Sequence, residues 1–103
     1  MLDKKPKQTE NQIQSAIREY LQYNGWFVIR NQQSLGSLKG LADLTAIRNG
    51  KVLWIEVKTP KGRLSEWQTK FKAEIEAHGG IYLEARSVED VEQFLYGKCG
   101  NNL

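Results

Sequence analysis

An α/β sandwich, a mixed sheet with helices packed over it in the order α-β-β-β-α-β-α, is the fold class this sequence predicts. Three observations predict it. Asn49-Gly50 lies between two apolar runs, and this dipeptide is the strongest short hairpin signal because both residues tolerate positive φ. Two helical patterns open on capping boxes, Thr9 to Gln12 and Ser65 to Gln68. A strand, a helix and a further strand then follow in succession over residues 51–84, the signature of a crossover connection that adds a parallel strand. With 103 residues, 40% apolar and 26% charged, the chain has room for one domain only. Such a domain buries somewhat over about 60% of its unfolded surface. We place it at residues 9–96, after a basic tail (1–8) expected to be disordered and before a frayed C-terminus (97–103).

The first helix starts at the N-cap Thr9 and carries the stripe Ile13, Ala16, Ile17, Tyr20, Leu21 until Asn24-Gly25 ends it. Residues 26–30 are aromatic and β-branched, a short strand, and a polar loop covers 31–40. Residues 43–48 and 51–58 form the hairpin. Ser65 caps a second helix with Trp67, Phe71, Ile75 and His78 on neighbouring turns, and Gly79-Gly80 stops it. Residues 81–84 make the fourth strand. Ser87 caps a last helix bearing Val88, Val91, Phe94 and Leu95. Trp26, Trp54 and Trp67 are most simply core residues.

Thiol, zinc-finger and His-triad chemistry are nearly excluded by composition. The single cysteine, Cys99, cannot form an internal disulfide or a cysteine-based zinc site, and the single histidine, His78, leaves a Ser/His or Cys/His triad with poor raw material. No apolar run approaches the roughly 18 residues of a membrane span, and the start has no secretory signal, so no membrane partner and a cytoplasmic location are expected. Charge is polarised along the chain. Residues 1–72 hold 13 Lys and Arg against 6 acids, and residues 73–103 hold 2 against 6. A basic surface facing a polyanion and an acidic one turned away point to nucleic acid.

The hairpin carries the chemistry. A two-residue turn at Asn49-Gly50 sets Arg48 opposite Lys51, Ile47 opposite Val52 and Ala46 opposite Leu53, which puts Asp43 opposite Glu56. Cross-strand neighbours have Cβ atoms about 4.5–5.5 Å apart, so two acids there repel unless a cation lies between them. A hard divalent ion such as Mg²⁺ is held by one or two carboxylates plus waters and leaves positions for a phosphate. Strand alternation projects Lys58 to the same side as Glu56, where an ammonium can stabilise phosphate charge or orient a water activated by the metal. Glu10 and Gln68 each lie three and seven residues before the apolar positions of their helices, so both can point at the sheet from a first turn. Each also has an ordinary role within its helix. An acid near a helix N-terminus suits the macrodipole, and Gln68 is the third residue of a capping box.

Glu10, Gly40-Leu41-Ala42-Asp43, Glu56-Val57-Lys58 and Gln68, with Thr-Pro-Lys-Gly-Arg-Leu-Ser after Lys58, resemble the motif series of the VRR-NUC (virus-type replication-repair nuclease) domain. That family belongs to the restriction-endonuclease-like superfamily, with its Asp…Glu-x-Lys signature. The likeness spans roughly residues 9–91 in the same α-β-β-β-α-β order, and domain-only members similar to this chain occur in phages. The resemblance implies metal-dependent cleavage of branched DNA, such as four-way junctions or flaps. It makes Asp43 and Glu56 the metal ligands, the main-chain carbonyl of Val57 a further one, and Lys58 the catalytic lysine. Glu10 would complete the acidic site or help bind a second metal, and Gln68 would position Lys58 or the attacking water. Mg²⁺ is the expected cofactor, with Mn²⁺ able to substitute.

Lys39, Lys61 and Arg63 flank the site in loops and are candidates for phosphate contacts. A two-fold dimer would present two sites to a two-fold junction, with Leu35 and Leu38 as candidate apolar contacts. Two other functions compete: a nuclease fold that binds DNA without cutting, which would have no need to keep Asp43, Glu56 and Lys58 together, and a nicking or restriction-type nuclease, for which no base-reading element is visible.

Overall fold

The computed structural model describes residues 7–34 and 36–97; Lys4, Lys5, Leu35 and Cys99 therefore lie outside the described residues. Three helices and four strands run in the predicted order: α1 (Glu10–Tyr23), β1 (Phe27–Arg30), β2 (Leu44–Arg48), β3 (Lys51–Val57), α2 (Glu66–Ala77), β4 (Ile81–Ala85) and α3 (Val88–Tyr96). The strands form one mixed sheet in the order β1-β2-β3-β4, with the first two pairings antiparallel and β3–β4 parallel.

The hairpin register is the one the turn predicts. Arg48 faces Lys51, Ile47 faces Val52 and Ala46 faces Leu53, and the turn holds Asn49 at φ 52° and Gly50 at φ 78°. Both capping boxes form, Thr9 with Gln12 and Ser65 with Gln68.

The sheet separates two cores. On one face Ile13, Ile17 and Leu21 of α1 and Val91 and Leu95 of α3 pack on Leu53, Ile55 and Val57. Each such aliphatic side chain contributes roughly 1.5–3 kcal/mol when fully buried. On the other face α2 lays Phe71 over Ala42, Tyr82 and Trp54, with the Trp54 and Phe71 rings edge to face at 5.6 Å. This second layer covers only the β3–β4 half of its face. On the open half, Phe27, Ile29 and Val52 stand exposed.

Three sequence expectations are corrected. Trp26 is not in the strand: its amide closes onto the Leu21 carbonyl (3.0 Å) and its indole plugs the main core, so β1 begins one residue later. Trp67 is not a core residue but 47% exposed, because Phe71, one turn on, already fills the contact with the sheet. Glu10 is exposed rather than on the buried face, since α1 meets the sheet only from Ile13 onward.

Candidate active site

Asp43 is the residue just before β2, and three elements fix it. The Asn31 amide donates to its main-chain carbonyl (2.8 Å), while the Asn31 side chain donates to the Ala42 carbonyl (3.0 Å) and the Thr45 hydroxyl (2.8 Å). From across the hairpin, the Val57 amide donates to Asp43 Oδ2 at 2.8 Å. The carboxylate of Asp43 is thereby tied to the strand segment between Glu56 and Lys58. Gly40 makes the approach possible, since at φ 79° a Cβ there would lie 2.2 Å from the Trp67 carbonyl oxygen. Only glycine lets this loop lie against the start of α2.

Glu56 is 2% exposed. Its Oε2 accepts from Gln68 Nε2 at 3.0 Å and lies 3.8 Å from Lys58 Nζ, whereas its Oε1 is buried without a hydrogen-bond partner. Burial, then the charge of Asp43 and a side-chain hydrogen bond shared with it, push the Glu56 carboxyl up to about 8, with Lys58 opposing the effect and Glu10 adding to it. The buried Tyr82 phenol is pushed up too, first by burial and then by the charge of Glu56. Two acids crowded together, one of them buried and with its carboxyl raised, are short of positive charge.

That deficit is the test for a metal, and the residues fit one. The vacant lone pairs of Glu56 Oε1 and the neighbouring Asp43 carboxylate are hard oxygen donors of the kind a divalent cation takes. Among the described residues no group of three His, Cys, Asp or Glu side chains gathers to hold an ion, so the pair stands without a third acid. Glu10 stays at the rim, where it lines a cleft of about 330 Å³ with Asp43, Arg30, Asn31 and Gln14.

The structure brings Asp43, Glu56, Val57, Lys58 and Gln68 together and sets Glu10 beside them. The loop cations do not cluster. Lys39 lies over the Trp67 ring, whereas Lys61 lines a separate cleft with Lys7 and Arg86, and Arg63 is exposed. Arg86 holds the Lys61–Arg63 loop by donating to the Gly62 carbonyl. Sequence reasoning missed Asn31, Arg30 and Arg86. Asn31 could be found from the β1–β2 register, which aligns Arg30 with Leu44 and so brings Asn31 to Asp43.

No helix of the described residues is long and apolar enough to cross a membrane. Two solved structures share the fold. One, a "VRR_NUC domain", has a TM-score of 0.73 at 20% identity, covering 82% of this chain and 91% of that one. The other, a "VRR_NUC domain protein", has a TM-score of 0.73 at 17% identity, covering 93% of each. No curated protein matches the chain. These structures share the α/β arrangement that the sequence motifs led one to expect. The family described as "Archaeal holliday junction resolvase (hjc)" matches residues 2–100, nearly the whole chain, and the protein belongs to that nuclease family.

Proposed function

We propose that this protein is a divalent-metal-dependent endodeoxyribonuclease that hydrolyses phosphodiesters in branched DNA, the four-way junction foremost. The observation that carries the reading is the buried Glu56 with its unpaired Oε1, set beside Asp43 and 3.8 Å from Lys58. Asp43, Glu56 and the Val57 carbonyl would hold the ion, with Mg²⁺ the first choice. Bound there, it would polarise the scissile phosphate and acidify an attacking water.

The rest of the work belongs to the chain's own side chains. Gln68 fixes the rotamer of Glu56 from the first turn of α2, and Asn31 with the Val57 amide fixes Asp43. Lys58, mostly buried, keeps an ammonium where charge builds on the phosphate; an electrostatic contact of this kind, aimed at developing charge, is worth several kcal/mol of barrier. Glu10 faces the same cleft as Asp43 and would order a water or a second ion there. Lys39, Lys61 and Arg63 would contact the phosphates of separate arms, consistent with their spread around the rim. A second copy of the chain would give the two incisions that a junction requires, and the open apolar half of the sheet at Phe27, Ile29 and Val52 supplies a surface for it.

The test is cleavage of labelled four-way junction, 5′-flap and linear duplex in Mg²⁺, Mn²⁺ or EDTA. Metal-dependent cutting of the junction, lost in Asp43→Ala and reduced at least about 100-fold in Lys58→Ala, is expected. Binding without cleavage in every metal would leave an accessory DNA-binding module instead. Cutting of linear duplex at one fixed sequence would leave a restriction-type enzyme.

A further inference from the structure

Trp67 is the second residue of α2, and its indole is 47% exposed. Two ammonium groups attend it, Lys39 Nζ at 4.6 Å from the ring centroid and Lys70 Nζ at 5.0 Å. Neither lysine is ion-paired with a carboxylate among the described residues. The ring heads a groove of about 600 Å³ whose wall continues through Trp54 and Phe71 to Ile75. The next residue in the chain, Gln68, is the one that touches Glu56.

A half-exposed aromatic ring with unpaired cations on it is a combination by which proteins hold unpaired nucleotides: the two flexible ammoniums, which here lie over the ring, swing out to the adjacent phosphates and a base takes their place on the ring face. A base inside a duplex is already stacked and cannot use such a ring. At a branch point it can, because extrusion costs least where pairing is already lost. Glu74 and His78 lie at the far end of the groove, so the phosphates are confined to the end held by Lys39 and Lys70.

We infer that Trp67, Lys39 and Lys70 form a stacking site for one unpaired nucleotide of the DNA, beside the scissile position. The inference rests on the reading of the site as a nuclease for branched DNA and adds the means of selecting the branch: an unstacked base rather than a sequence.

The test is titration of the full-length protein with a short oligothymidylate in EDTA, following tryptophan fluorescence, so that neither metal nor cleavage enters. Binding should quench the emission. Trp67→Phe should lose most of the quenching, since Trp26 and Trp54 are the more buried indoles. Trp67→Ala should weaken binding by about 5- to 150-fold and Trp67→Tyr should restore it, because the tyrosine keeps a stacking face. Replacing Lys39 and Lys70 together by alanine should flatten the salt dependence of binding by about 1.4 in the logarithmic slope.

Unchanged affinity in Trp67→Ala, or quenching that persists in Trp67→Phe, would overturn the site. So would equal binding of polyglutamate, which would mark the groove as a dock for acidic peptide. If the parent protein bound and was quenched but cut no junction in any metal, the nuclease reading would fail with the stacking site intact; if Trp67→Ala bound oligothymidylate normally, the stacking site would fail with the nuclease intact.

Discussion

Gln68 divides one side-chain amide between two partners. Its oxygen accepts from the Ser65 amide to complete a capping box, and its nitrogen donates to Glu56. From the sequence these are competing explanations of one residue, and the structure shows both contacts made by opposite ends of the same group. Periodicity places Gln68 toward the sheet, but the choice of Glu56 over Lys58 as its contact depends on rotamers that spacing does not encode. Glu56 gives the sharpest prediction at this scale. Its carboxyl is raised from an ordinary 4.5 to about 8, so the folded protein holds a proton that the unfolded chain has released. The associated stability is complete below about pH 4.5 and is lost as pH rises through about 8, at about 1.4 kcal/mol for each pH unit between those values. Urea denaturation in EDTA should therefore show the protein weaker by a few kcal/mol at pH 9 than at pH 5. Glu56→Gln should remove most of that slope, and Mg²⁺ should restore stability at pH 9 by replacing the proton. A flat profile in the parent protein would mean that Glu56 is an ordinary carboxylate.

Among the elements, the β2–β3 hairpin was legible down to its register, because a two-residue turn with both φ values positive admits a single alignment of its strands. The β1–β2 alignment was not, since residues 31–43 join those strands through a long polar loop and no turn chemistry fixes their offset. Asn31 escapes sequence reasoning for that reason. For Trp26, β-propensity favours a strand, and a tertiary role as the plug beneath α1 overrides it. Gly40 links the loop to α2. In Gly40→Ala the new Cβ would meet the Trp67 carbonyl oxygen at 2.2 Å from a backbone already at φ 79°. The loop would have to move, taking Asp43 out of reach of the Val57 amide. Melting temperature should fall by several degrees, and junction cleavage should fall further than stability alone explains. Cleavage and melting temperature both equal to the parent's would show that the contact is not needed.

For the molecule as a whole, the polarised charge is visible in the chain itself, and it is consistent with a DNA-binding reading of the half that holds Lys39, Lys58, Lys61, Arg63 and Lys70. The surface proposed for a second copy was less legible. Leu38 is exposed as the sequence suggests, yet the larger apolar area belongs to β1, because α2 is too short to cover both halves of its face. Coverage of this sort is settled by how helices lie across a sheet, which a hydrophobic pattern does not contain. If Phe27, Ile29 and Val52 meet their counterparts in a dimer, Phe27→Asp should convert the parent dimer into a monomer by light scattering, with the melting curve of each chain little changed. A parent protein that is monomeric at about 10 μM would remove the paired-incision part of the proposal.

Arg48 sets the two ends of the sheet apart. Its guanidinium reaches the Asn24 carbonyl (3.0 Å) and the Tyr96 hydroxyl (3.3 Å) and lies over the Trp26 ring, so α1, β2 and α3 are clasped together at the hairpin end. At the opposite end Arg86 ties the loop after β3 and Gln68 ties α2 to Glu56, but there the ties surround a pair of crowded acids. If the proposed ion and its DNA bind there, they would relieve that crowding, and the protein would owe part of its thermal endurance to being at work.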